Sequence, residues 1–240
     1  MDVPQLNVNG EIFTKVSNAK EAIALVESQL SLNTSIIKIV WSQETRMTTE
    51  QLYSMYKPAI ALAKQHNKVV AVHVQDLENA KNSIKAGADI LVHGVMTNDV
   101  DDEFISLMKK YNVTYMPTLS AYGHYFEIFK SEFKFSEHEK NHAHANITNS
   151  FSDLMSNIKD TGQMFQVFLN YIPKVDSSEE EIAKLSAQDQ SIIKQLRTMF
   201  SSKIENIQKN NLMKILQSGV NVAFGTDAGN PGTLHASSLV

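Results

Sequence analysis

At 240 residues and 26.9 kDa the chain can bury a substantial core, as one large domain or two small ones. A formal net charge of −4 and a pI near 6.1 give no support to a nucleic-acid or anionic-membrane partner. The absence of cysteine excludes disulfides and thiolate metal sites, so any metal must rest on His, Asp, Glu or a modified Lys. No apolar run is long enough to span a bilayer. The opening MDVPQLNVNG has neither a basic nor an apolar leader region, which favours the cytoplasm only slightly and leaves the compartment open, since the native N-terminus is expected to lie upstream.

In chain order, the residues up to about Lys15 read as a connecting loop. Ser17–Leu30 is an amphipathic helix with Ser17 as its cap, and Ser35–Trp41 is a buried strand interrupted by Lys38. Thr48 or Thr49 caps a helix that runs to about His66. The stretch from Val69 to Gly94 then reads strand, helix, strand. Val69–Val72 closes at His73, Asp76 and Gly87 bracket a helix, and Asp89–Val92 ends in His93 and Gly94. A unit of this length needs a right-handed crossover and a parallel sheet, so the two histidines fall at matching ends of adjacent strands. Asp99–Tyr111 follows as a helix and Val113–Thr118 as a strand. The alternation then stops. From about residue 119 to 200 the pattern is polar, charged and helical, which predicts a helical insertion covering the mouth of the sheet. Ser202–Gln217 is a further helix, Val220–Phe224 a last strand, and GTDAGNPG follows it. The fold expected is α/β, with about five parallel strands and helices between them. That is either an open sheet or an incomplete (β/α)8 TIM-type barrel forming one domain over 1–240.

Several residues could carry chemistry. In a parallel sheet with both faces covered Lys38 is buried whichever way it points, and burial favours the neutral amine. It then either reaches the strand end and pairs with an acid, or reacts with carbon dioxide to give an anionic carbamate that bridges metals. His73 and His93 are single rim histidines if read alone, and a plausible metal pair if read together. Asp227 follows the last strand and Gly225–Thr226, so it either caps the next segment or serves as ligand and general base. The His142-Ala143-His144 pair lies in a helical stretch, where residues two apart diverge, so it is not a ligand pair. His138 and His142 read as a solvated helix face, and His66 needs no functional account. GTDAGNPG lacks phosphate-loop spacing.

A lysine on one strand, a histidine on each of the next two and an aspartate after GTDA resemble the ligand order of the amidohydrolase superfamily. The local strings IIKIVW, VAVHVQ, AGADILVHG, YMPTL and VAFGTDAGNPGTLH resemble strands four to eight of its imidazolonepropionase-like branch, which includes metal-dependent Xaa-Pro dipeptidases. The resemblance implies a distorted (β/α)8 barrel holding one or two divalent metals, usually zinc. A metal-activated hydroxide then attacks an amide or related C–N bond, of the cyclic amide or Xaa-Pro dipeptide type. Carried across, Lys38 becomes the carbamylated bridge, His73 and His93 imidazole ligands, and Asp227 both ligand and proton acceptor. His235 matches a position beside the site, and Tyr122, His124 and Tyr125 are expected to touch a small-molecule or dipeptide substrate.

The family's first strand supplies an H-x-H pair that no strand here offers, so the chain resembles a fragment. Its four candidate ligands would hold a metal weakly, and its open strand edges invite pairing with another chain, such as a homo-oligomer. Two alternatives follow, a catalytically silent chain and, less strongly, a phosphate-binding barrel lyase or isomerase resting on GTDAGNPG.

Overall fold

Alternation of helix and strand begins at Asn18, whose side chain accepts the Glu21 amide and caps α1 (Ala19–Leu30). The cap expected at Ser17 lies one residue early; the Ser17 amide donates to the Glu21 carboxylate instead. The computed structural model describes residues 14–41, 47–130, 132–149, 163–197, 200, 202–228, 230 and 232–234. They fall into two compact units, Met1–Pro117 with Asn210–Ala223, and Thr118–Lys209 with Phe224–Val240.

The first unit continues with β1 (Ile36–Val40), α2 (Thr49–Gln65), β2 (Val69–His73), α3 (Leu77–Ala86), β3 (Ile90–Val92), α4 (Asp102–Lys110) and β4 (Thr114–Met116). Side-chain caps start each helix, because the first amides of a helix have no partner within it. Thr48 forms a capping box with Gln51, Asp76 accepts from Asn79, and Asp101 accepts from Phe104. The last of these starts α4 at Asp102, three residues later than the expected Asp99. Gly87 ends α3 at φ 113°, a conformation suited to a residue without a β-carbon.

The four strands pair in parallel in the order β1-β2-β3-β4. Right-handed crossovers in an unreversed order place every helix on the same side of the sheet. Burial follows from that. Ile37, Ile39, Val70, Val72, Leu91 and Tyr115 share the covered face and form the core with residues of α1 to α4. The opposite face carries Ile36, Lys38 and Val40 in β1 and Val69, Ala71 and His73 in β2. It is open at its β1 edge, where Ile36 is 51% and Val40 37% exposed. Helices on one face and a separate inner face are the arrangement of a barrel wall, whereas an open doubly wound sheet carries helices on both.

Two expectations change here. Lys38 is exposed, not buried, because β1 is the edge strand and its period-two alternation sends the lysine to the uncovered face. The fifth strand is reduced to one parallel bridge between Tyr115 and Val222. Its position beside β4 is as expected, with the Tyr115 amide bonding Asn221 O and the Ala223 amide bonding Tyr115 O, each at 2.9 Å. The C-terminal part of the Ser202–Gln217 helix closes this unit. There Asn211, 2% exposed, accepts the Val100 amide and donates to the carbonyls of Val95 and Asn98. One buried side chain thus pins the whole loop between β3 and α4.

Residues 119–200 of the second unit are mainly helical where described, as expected. The elements of this unit include α5 (Leu119–Phe129) and the helices Glu137–His142, Gln163–Tyr171 and Ala187–Leu196. Phe129, Phe168, Ile172, Val175, Leu196 and Phe200 form its own core. Among the described residues, no helix is long and apolar enough to cross a membrane.

Candidate functional site

The end of β3 is where the backbone departs most from regular geometry. His93 has φ 69° and Gly94 φ 72°, two consecutive left-handed residues, and a non-glycine residue rarely adopts that conformation. The His93 amide still bonds Met116 O at 3.0 Å, and the Val95 amide bonds the Tyr115 hydroxyl at 3.2 Å. The turn is therefore held from β4, and it swings the His93 side chain towards the neighbouring strand.

There it meets His73. The two rings lie 4.4 Å apart, edge to face. His73 is the last residue of β2 and registers with Val92, so adjacent strand ends present adjacent imidazoles, as expected. Burial pushes the pKa of His73 down to about 4, aided by the charge of Lys38. Burial pushes His93 down to about 2, aided by His73 and Lys38. Both imidazoles are thus neutral at ordinary pH, the state in which the ring can donate a lone pair. Lys38 lies on the same sheet face and its ammonium is felt by both rings, so the first unit brings Lys38, His73 and His93 into one electrostatic neighbourhood.

The second unit holds the remaining candidates. Asp227 is exposed and has φ 55°, so the chain turns sharply at this residue. The Asn230 side chain donates to Asp227 Oδ2 at 2.6 Å and to Asp227 O at 2.9 Å. The Tyr125 hydroxyl in turn donates to Asn230 Oδ1 at 3.0 Å. Burial raises Tyr125 to about 12, helped by the Asp227 charge, so it stays a protonated donor. His124 donates from Nδ1 to Gly232 O at 2.7 Å, since a carbonyl can only accept. Gly232 leaves no room for a side chain, because a β-carbon there would stand 2.7 Å from that of His124. His124 and Tyr125 thus shape the loop that carries Asp227. Tyr122 instead packs by Phe200, with ring centroids 6.4 Å apart. His235 lies outside the described residues.

Neutral imidazoles in contact suit a divalent metal, and a lysine on the same face suits a carbamate. Among the described residues, however, no group of three or more His, Asp or Glu could by itself hold a metal ion. Asn230 and Tyr115 were not singled out from the sequence. The position of Asn230, three residues after Asp227, has the spacing of a local side-chain turn and could have signalled it. The role of Tyr115 depends on a contact with the neighbouring strand's exit and leaves no local mark.

No family model matches the chain, and no curated protein does. Solved structures do. The fold is similar to a putative prolidase from Bifidobacterium longum, with a TM-score of 0.50, 18% identity, and cover of 92% of this chain and 42% of that one. It is similar to an amidohydrolase with a TM-score of 0.50, 15% identity, and cover of 91% and 39%. A Xaa-Pro dipeptidase with bound methionine in its active site matches with a TM-score of 0.48, 18% identity, and cover of 95% and 44%. The chain spans about two-fifths of the length of these structures. The likeness is one of fold, over part of each of those structures.

Proposed function

We propose that the protein to which this chain contributes is a metal-dependent hydrolase of an amide or related C–N bond, with a small-molecule or dipeptide substrate. The observation that carries this reading is the His73–His93 pair, two neutral rings 4.4 Å apart at neighbouring strand ends. The fold likeness to the prolidase and amidohydrolase structures supports it.

In this reading His73 and His93 would hold a divalent metal, which the resemblance gives as zinc, with Lys38 as a carbamate, and Asp227 would act as the base. The metal supplies Lewis-acid polarisation and lowers the pKa of water. The protein's own groups do the rest. Asp227 takes the proton of the attacking water on its carboxylate and returns it to the leaving nitrogen. Asn230 and Tyr125 hold that carboxylate in one orientation. Lys38 stands on the exposed face of β1, so the carbamate rests on the resemblance and not on the buried amine first expected. Tyr122, His124 and His235 remain the candidates for substrate contact.

The test is Asp227→Asn in the protein carrying this chain, assayed on Xaa-Pro dipeptides and cyclic amides after loading with zinc. The variant should keep its zinc and lose turnover by several orders of magnitude; near-normal turnover overturns the assignment. A second reading, a catalytically silent chain, is favoured by the lack of a three-residue metal group among the described residues. Metal analysis of the purified chain separates the two: stoichiometric zinc with hydrolysis rules the silent reading out.

A further inference from the structure

Regular strand geometry would send His93 to the wrong side of the sheet. In β3, Leu91 lies on the helix-covered face and Val92 on the other, so His93 continued as a strand residue would join Leu91. It stands beside His73 because its φ of 69° takes the chain out of the strand. A non-glycine residue held left-handed is higher in energy than an extended one, and it persists only where its surroundings fix it. The placement of the ring therefore depends on what holds the residues that follow it.

Val95 is held at both of its backbone groups. Its amide donates to the Tyr115 hydroxyl at 3.2 Å, and its carbonyl accepts from Asn211 Nδ2 at 3.0 Å. Asn211 also donates to Asn98 O at 2.9 Å and accepts the Val100 amide at 2.8 Å. Two carbonyls and one N–H presented together match a carboxamide; a carboxylate cannot donate and an ammonium cannot accept. Thr97, Asn98 and Asp99 are exposed, and residues 93–101 belong to no helix or strand, so side chains must fix this loop. Asn211 is 2% exposed, where water does not compete for its bonds. The Met96 amide bonds Gln75 O at 2.8 Å, which ties the same loop to the segment that follows His73.

We propose that Asn211 is a positioning residue for the His73–His93 pair. Through residues 94–100 its carboxamide holds the His93 imidazole beside that of His73, and so sets how well the pair binds a divalent metal. In taking the pair as metal ligands this inference rests on the hydrolase reading given above; the placement of the ring does not.

The test uses the protein carrying this chain, with isotope-labelled histidine for NMR and Co2+ as the metal probe. Rings with centroids 4.4 Å apart give a nuclear Overhauser contact between His73 and His93 in the metal-free protein. Asn211→Leu fills a similar space without hydrogen bonds. It should lose that contact and weaken Co2+ binding by about tenfold or more, the range for a lost outer-shell partner. Asn211→Ser, whose hydroxyl cannot serve all three backbone groups, should act in the same direction and replaces the leucine variant if that one does not fold. Asp89→Ala is the control for stability alone, since Asp89 accepts the Val70 amide at 2.8 Å at the opposite end of the same strands. It should keep both the ring contact and the affinity. An intact ring contact in the Asn211 variants overturns the proposal, as does equal loss in Asp89→Ala. Undiminished Co2+ binding in the Asn211 variants overturns it too, where His73→Gln/His93→Gln has lost that binding. If the double histidine variant binds Co2+ as well as the parent, the metal reading falls instead, and the ring contact alone still decides the role of Asn211.

Discussion

A β-carbon on Gly94 would stand 2.1 Å from the Tyr115 hydroxyl oxygen and 2.4 Å from the ring carbon that bears it. Tyr115 is wholly buried in β4, and its hydroxyl accepts the Val95 amide, so the phenol cannot move aside cheaply. The turn that presents His93 is therefore built on the absence of a side chain at Gly94. Gly94→Ala should destabilise the chain by about 4 kcal/mol or more, near the upper range for single substitutions. Tyr115→Phe should cost about 1–3 kcal/mol by orphaning the Val95 amide. Adding it to Gly94→Ala should give little rescue, because the ring carbon remains in the way. Urea denaturation of the three variants checks this, and a Gly94→Ala variant of normal stability would mean the turn is not built this way.

The depressed histidines make stability depend on pH. In the unfolded chain an imidazole titrates near 6.5, and in the folded chain His73 does so at about 4 and His93 at about 2. As pH falls below 6.5 the unfolded state takes up protons first, so stability declines with falling pH. The contribution is fully present above 6.5 and is lost progressively as pH drops through 4. Thermal melts at pH 7.5 and 5 should differ by several degrees, and the difference should shrink in His73→Gln/His93→Gln. An unchanged difference in that double variant would place the effect elsewhere.

Asn230 holds the Asp227 carboxylate while receiving the Tyr125 hydroxyl. If Asp227 handles the proton, Asn230→Ala should lower kcat by about 10–100-fold with KM nearly unchanged, since the group lost orients another and touches no substrate. Tyr125→Phe should give a smaller loss in the same direction. Steady-state kinetics on the active protein decide it: a change confined to KM would make Asn230 a substrate contact.

Lys81 is a cation with its side chain 6% exposed, lying 2.6 Å from Asp101, 2.9 Å from Glu103 and 3.3 Å from Glu78. Burial works against the ammonium, but the hydrogen bonds to Asp101, Glu103 and Glu78 outweigh it and raise its pKa. Breaking a buried ion pair costs about 3–5 kcal/mol, and the half-exposed carboxylates here reduce that to about 2 kcal/mol for Lys81→Met. Equilibrium unfolding in urea gives the number; a neutral result would show that solvent screens the cluster fully.

Much of the fold is legible in the sequence because its local signals agree with one another. Asp76 and Gly87 bracket α3 at the expected residues, and Thr48 caps α2, since a cap is a bond between residues three apart and needs no distant partner. His73 and His93 were legible as a pair because parallel strands joined by a short crossover bring equivalent ends together. The exposure of Lys38 was not, because it depends on whether a neighbouring strand covers the face that β1 presents. Nor was the shortening of the last strand to the Tyr115–Val222 bridge, which depends on how far its backbone keeps pace with β4.

The sequence by itself determined the caps that bracket α2 and α3, which strands run parallel, and that two imidazoles end neighbouring strands. Those follow from spacing, capping chemistry and the handedness of the chain. Only the tertiary structure decided that Lys38 meets solvent, that Tyr115 forbids a side chain at Gly94, and that Tyr125 reaches Asn230. Each of these is set by contacts and burial in the folded chain, and local residue patterns do not encode them.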